Sequence, residues 1–284
     1  MKPTISFLVL FLLLVPLQSV SADRGSKQNV ITLTADQIDS ADDIEAAIIS
    51  ATAEGTRPGT VILDGRNGAF VFTSDDRSLN IFVSNLTLRG VNQAMIKNCD
   101  DGLFFDNFPL KNILVEGITF FCTGDGVDSI GAFENVTLRN NIFRAGLSGI
   151  NMDRPSSDWL ITDNLIQADR YGIVITGANN FMITDNHISG NVGIFLQQCS
   201  QFQVRKNAIH ASEQGVLLAQ ESWKNMVQTN TILGVSHSGI ALESGVTGNR
   251  ILANRVLCAP GRSCLTVEAT PEAAEMNTIA GNRP

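Results

Sequence analysis

The stretch Asn186-His187-Ile188-Ser189-Gly190-Asn191-Val192-Gly193-Ile194-Phe195-Leu196-Gln197 is followed by a second copy of its own pattern, Asn207-Ala208-Ile209 and then Gly215-Val216-Leu217-Leu218. The same frame places Asn141, Asn164, Asn186, Asn207, Asn230 and Asn254 at intervals of 23, 22, 21, 23 and 24 residues. Three residues before each Asn stands an aliphatic side chain, Leu138, Ile161, Ile183, Val204, Val227 and Ile251, and two residues after it another apolar one, Phe143, Ile166, Ile188, Ile209, Ile232 and Val256. A third series follows a glycine: Leu103, Val127, Ile150, Ile173, Ile194, Val216 and Ile240. Each unit therefore holds three short strands. Within them the period is two, so that Ile194 and Leu196 point inward while Phe195 and Gln197 point outward.

Units this short leave no room for a pair of helices. Three strands per unit satisfy their backbone by pairing with their equivalents about 4.8 Å along a common axis. The repeating Asn marks a tight corner, where its amide is expected to tolerate unusual backbone angles and to bond the Asn of the next coil. The predicted class is all-β: a single-stranded parallel β-helix of about eight coils over residues 61–284. In residues 23–60, Ser40-Ala41-Asp42-Asp43 reads as a capping box, and Ile44, Ala47, Ile48 and Ala51 recur at helical spacing before Gly55, which predicts an α-helix that caps the solenoid. Residues 1–22 read as a cleaved secretory signal, with an apolar run Ile5–Leu17 ending in Val20-Ser21-Ala22. That run falls short of the roughly 20 residues a membrane span needs. No membrane span is expected after cleavage, and the compartment is secreted or periplasmic.

The motif Asn-x-Ile, turn, Gly-Ile-x-Leu, present as Asn186–Ile188 with Gly193–Leu196 and again as Asn230–Ile232 with Gly239–Leu242, resembles the right-handed parallel β-helix repeat proteins of the pectin-lyase-like superfamily. The resemblance covers residues 60–284. It implies a right-handed coil, and a substrate cleft along the strand after each glycine and the turn before it. Asp125, Asp128 and Asp153 project there as acid or base candidates, with Asp106, Asn151, Arg170, Tyr171 and Phe195 as substrate contacts. Two nearby carboxylates can divide acid and base roles, because repulsion raises the pKa of one. Thr123-Gly124-Asp125-Gly126-Val127-Asp128 departs from the glycine-aspartate-aspartate segment of polygalacturonase-like hydrolases, and no Gly-His-Gly or Asp-Pro-His follows. The resemblance thus leaves lyase, hydrolase and epimerase open, and beside them a noncatalytic surface or matrix protein that binds glycan or protein. The expected partner is a polysaccharide.

The chain has 284 residues with 44% hydrophobic and 17% charged side chains, and a net charge of -8, the wrong balance for a nucleic-acid partner. Cys99 and Cys122 stand one coil apart, and Cys258 and Cys264 flank Pro260-Gly261, which predicts two disulfides and leaves Cys199 a buried thiol. His187, His210 and His237 occupy different repeat positions, so no histidine metal site is expected, although the superfamily includes periplasmic copper-handling members. No cofactor is required by the pattern. Calcium is the one the acids leave open.

Overall fold

A computed structural model describes residues 29–38, 40–72, 78–106 and 109–284. The expected signal segment 1–22 lies outside them. The chain winds into three parallel ladders, each joining a strand to its equivalent one coil away. The first ladder runs from Asn29–Thr34 through Gly59–Asp64 to Thr278–Ala280. The second carries Met95–Cys99, Thr119–Cys122, Ile142–Ala145 and Leu165–Ala168, and the third carries Leu103–Phe105, Val127–Ser129, Ser148–Met152 and Tyr171–Thr176. His187–Gln197 and Ala208–Ala219 bend through the corner and serve both, which fuses the second and third ladders into one sheet. Nine complete coils result, against about eight expected.

Register follows the repeat. Ile161, Ile183, Val204, Val227 and Ile251 lie opposite one another in successive coils and are fully buried. The column Ile150, Ile173, Ile194, Val216 and Ile240 does the same on the third ladder. Each such side chain removed from water contributes roughly 1.5–3 kcal/mol before entropy is counted. Aromatic rings thicken the core: Trp159, Phe181 and Phe202 form a stack with centroids 5.6 and 4.8 Å apart.

The corner between the first and second ladders corrects one expectation. The ladder asparagines do not adopt left-handed backbone; the residue before each one does, namely Asn140, Asp163, Asp185, Lys206, Thr229 and Ala253. What the repeat preserves is the buried amide. Asn207 Oδ1 accepts from the Asn186 backbone N–H and from its Nδ2, both at 3.0 Å, while Asn207 Nδ2 donates to the Ile183 carbonyl at 2.9 Å. The pattern runs from Asn141 to Asn282 without a break. A second ladder of the same kind, Asn225, Asn249 and Asn277, tiles another corner.

The helix is Ala41–Thr52, with the Ser40 N–H donating to Asp43 Oδ2 at 3.1 Å and Ile44, Ala47, Ile48 and Ala51 buried. A strand precedes it that the repeat did not announce: Asn29–Thr34 pairs in parallel with Gly59–Asp64. Disulfides join Cys99 to Cys122 and Cys258 to Cys264, and Cys199 is free and buried. On the outer face of the first ladder Arg89, Glu116 and Arg139 stack in register; Glu116 pairs with Arg89 and also accepts from Arg139 Nε at 2.6 Å. Among the described residues no helix is long and apolar enough to cross a membrane.

Candidate functional site

The third ladder turns outward a row in which Asn80, Phe104, Asp128, Asn151, Val174, Phe195, Leu217 and Ala241 lie opposite one another. The corner before it is tight enough to demand glycine. A Cβ on Gly126 would sit 2.5 Å from the Gly149 carbonyl oxygen. The residue ahead of that glycine therefore turns its side chain along the axis, toward the backbone of the next coil.

Two acids exploit this. Asp101 Oδ1 accepts the Asp125 backbone N–H at 2.8 Å, and Asp125 Oδ1 accepts the Ser148 N–H at 2.7 Å. Asn151 Nδ2 bridges Asp125 Oδ2 at 3.1 Å and Asp128 Oδ1 at 3.2 Å. Asp125 is thereby buried, with both oxygens engaged. Asp128 is half-buried, and Asp153, one coil further, is exposed. Burial first, then the negative charges of Asp101, Asp125 and Asp153, pushes the Asp128 carboxyl up to about 6. Burial also raises Asp101, aided by the charges of Asp125 and Asp100 and opposed by the Asp125 amide. A carboxyl that titrates near 6 can give or take a proton close to neutrality.

The remaining sequence candidates divide into two groups. Arg170, Tyr171 and Phe195 come together beside the acids: the Arg170 guanidinium lies 5.8 Å from the Tyr171 ring centroid, and that ring stacks on Phe195 at 6.0 Å. Asp106 faces the capped end, where it lines a shallow concavity with Glu45, Asn80 and Phe82. Sequence reading passed over Asp101, although its signal was present. Asp101 precedes Gly102 as Asp125 precedes Gly126.

The sequence matches the family described as periplasmic copper-binding protein (NosD) over residues 26–234 and again over 111–283. The chain belongs to the NosD family. No curated protein matches its sequence significantly. Among solved structures it is similar to the A-module of the Azotobacter vinelandii mannuronan C-5 epimerase AlgE4, at 17% identity and a TM-score of 0.57 over 88% of this chain and 96% of that one. It is also similar to the DFA-IIIase of Arthrobacter chlorophenolicus A6, at 15% identity and a TM-score of 0.54 over 78% of this chain and 71% of that one. At such identities these likenesses show the pectin-lyase-like fold. Two disulfides in a NosD-family chain fit an extracytoplasmic compartment.

Copper takes imidazole, thiolate and thioether donors, and this NosD-family chain disperses them. His237 Nε2 lies 3.2 Å from Glu268, on a different face from His187 and His210. Four cysteines are in disulfides, and burial pushes the Cys199 thiol up to about 11, with its sulfur 3.3 and 3.2 Å from the Ile175 and Gln197 carbonyls. Met182 and Met226 are separated by Gln203. Among the described residues no three His, Cys, Asp or Glu side chains are grouped to hold a metal ion, so the donor set does not fit resident copper and the acids form no ready calcium shell.

Proposed function

We propose that this NosD-family protein is a secreted or periplasmic carbohydrate-active protein that binds a polysaccharide along the third ladder and uses Asp128 to move a proton on it. One observation carries the reading: Asp128 is held among three other carboxylates, half-buried, with its pKa raised to about 6. Asp153 is the solvent-facing acid beside it, and Asn151 fixes its orientation by donating to Oδ1 at 3.2 Å. Phe195, three coils on from Asp128, offers a sugar an aromatic ring braced by Tyr171, and Arg170 over the Tyr171 ring closes that end. The clustered negative charge disfavours a polyuronate here, so a neutral polysaccharide is the substrate class this face suits. Asp125 and Asp101, spent on turn amides, serve as charges that raise the Asp128 carboxyl.

The test is product release from a panel of neutral polysaccharides between pH 4 and 8. Wild type should release product, and Asp128→Asn should lose about 100-fold or more in turnover, the lower range for a general acid or base. Undiminished turnover in Asp128→Asn would remove it from the mechanism. The engagement of Asp125 and Asp101 with backbone amides favours a second reading, a noncatalytic glycan-binding solenoid. Saturable glycan binding without product would establish that one.

A further inference from the structure

The second ladder presents a different surface. Its outward row runs Lys97, Phe121, Arg144, Gln167, Ser189 and His210, each opposite the next in parallel register. Lys97 Nζ lies 5.7 Å and the Arg144 guanidinium carbon 5.0 Å from the Phe121 ring centroid, so the ring separates a cation in the coil below from one in the coil above. Phe121 therefore cannot offer either ring face to a sugar; it positions two charges.

The surface is concave where the corner beyond this ladder is built of small residues, Ala145, Gly146, Ala168, Gly190 and Ala211. They are small because the backbones nearly touch. A Cβ on Gly146 would meet the Thr123 carbonyl oxygen at 2.3 Å, and one on Gly190 the Gly172 nitrogen at 2.8 Å. The concavity continues past Gln167 and Ser189 to His187 and His210, which share it although they occupy different rows.

The charge balance of this groove is opposite to that of the acid face. No residue of Met95–Cys99, Thr119–Cys122, Ile142–Ala145 or Leu165–Ala168 is acidic. The one acid lining the concavity is Asp169, at the rim. Ion pairs among the described residues engage Arg66, Arg89, Arg139 and His237, and neither Lys97 nor Arg144 is among them. In a chain of net charge -8, two exposed cations without a carboxylate partner above a polar groove make this face locally positive and favourable to an anion. Two cations in six coils, a row roughly 24 Å long at the strand spacing, are too sparse for a nucleic-acid backbone but suit an oligosaccharide with carboxylates at intervals.

We propose that this groove is a second binding site, for an anionic oligosaccharide whose carboxylates meet Lys97 and Arg144 and whose hydroxyls meet Gln167, Ser189, His187 and His210. The site is independent of the acid face and of any reaction there. It is tested by calorimetric titration of the full chain with hexagalacturonate, its fully methyl-esterified and uncharged form, inorganic phosphate and a short single-stranded DNA. Hexagalacturonate should bind saturably, and the ester about 10-fold or more weakly. The double variant Lys97→Gln/Arg144→Gln should lose about 10-fold or more, Arg144→Lys should retain most of the affinity, and Lys224→Gln, whose ammonium sits 4.5 Å over Trp223 on another face, should bind as wild type. Both altered side chains are exposed, so an unchanged melting temperature shows that the double variant is folded. The proposal is overturned if hexagalacturonate does not bind, if the ester binds equally, if the folded double variant binds as wild type, or if phosphate or DNA binds as tightly as the uronate.

Discussion

Asn207→Leu is expected to lower the melting temperature by about 10 °C or more. Leucine matches asparagine in length and branching and is compatible with burial, but its methyl groups cannot approach the neighbouring backbone at the 3.0 and 2.9 Å that the amide keeps, so crowding adds to the loss of hydrogen bonds. The larger part of the cost arises because the Asn186 N–H loses its acceptor and the Ile183 carbonyl its side-chain donor, at asparagines that are buried from solvent. Each orphaned buried group costs about 1–3 kcal/mol, which sums to about 2–6 kcal/mol for the two. A chain of this size shifts by about 2–4 °C per kcal/mol. Because each coil contacts only its neighbours, the damage is centred on the coils joined at Asn207 and should appear in hydrogen exchange as local loss of protection there. Lys206→Asn provides the contrast: Lys206 has a φ of 56°, a region asparagine tolerates better, so this neighbouring change should hold or raise the melting temperature. A ladder variant as stable as wild type would mean that the asparagines merely occupy a turn.

The second large effect is that Asp128→Asn should stabilise the fold at pH 8 while lowering turnover about 100-fold or more. In the folded chain the carboxyl titrates at about 6, against 3.8 without its surroundings. A carboxyl whose folded pKa is raised contributes a stability that is fully present below the unfolded pKa and is lost as pH rises through the folded one. Wild type should therefore weaken between pH 4 and 7, whereas asparagine, always neutral and still able to accept from Asn151, should not. Because Asp128 is only half-buried, solvent screening reduces the effect to about 1–2 kcal/mol. Melting curves should show the variant a few degrees above wild type at pH 8 and level with it at pH 4. A variant less stable than wild type at pH 8 would show that the Asp128 charge is used to hold the structure together.

How much of this was legible depends on whether the physical cause repeats. Ile161, Ile183 and Val204 were readable as a column because each coil solves the same burial problem with the same kind of side chain. Cys99 and Cys122 were readable for the same reason, even across an irregularity in register after Lys97. The strand Asn29–Thr34 was not, since a helix separates it from the repeats and it carries neither their Asn nor their glycine. The corner asparagines were assigned the wrong conformational role because sequence reports residue type, while the left-handed backbone falls on the varied residue before each. At the site, the outward row through Asp128 and Asn151 followed from alternation alone. Which acid is spent on a backbone amide and which stays half-buried depends on the corner at Gly126, and the groove beside Arg144 on what Gly146 and Gly190 lack. Neither leaves a periodic mark.

The proposed function depends most on an Asp128 carboxyl that titrates well above the ordinary carboxylate range. Carbon-detected NMR titration of the side-chain carboxyls in the intact chain, with Asp128 assigned by comparison with Asp128→Asn, measures this without a substrate. The expected midpoint is near 6, falling when Asp125→Asn removes a neighbouring charge. A midpoint near 3.8 in the native chain would leave this face without a proton to transfer and would contradict the proposed function.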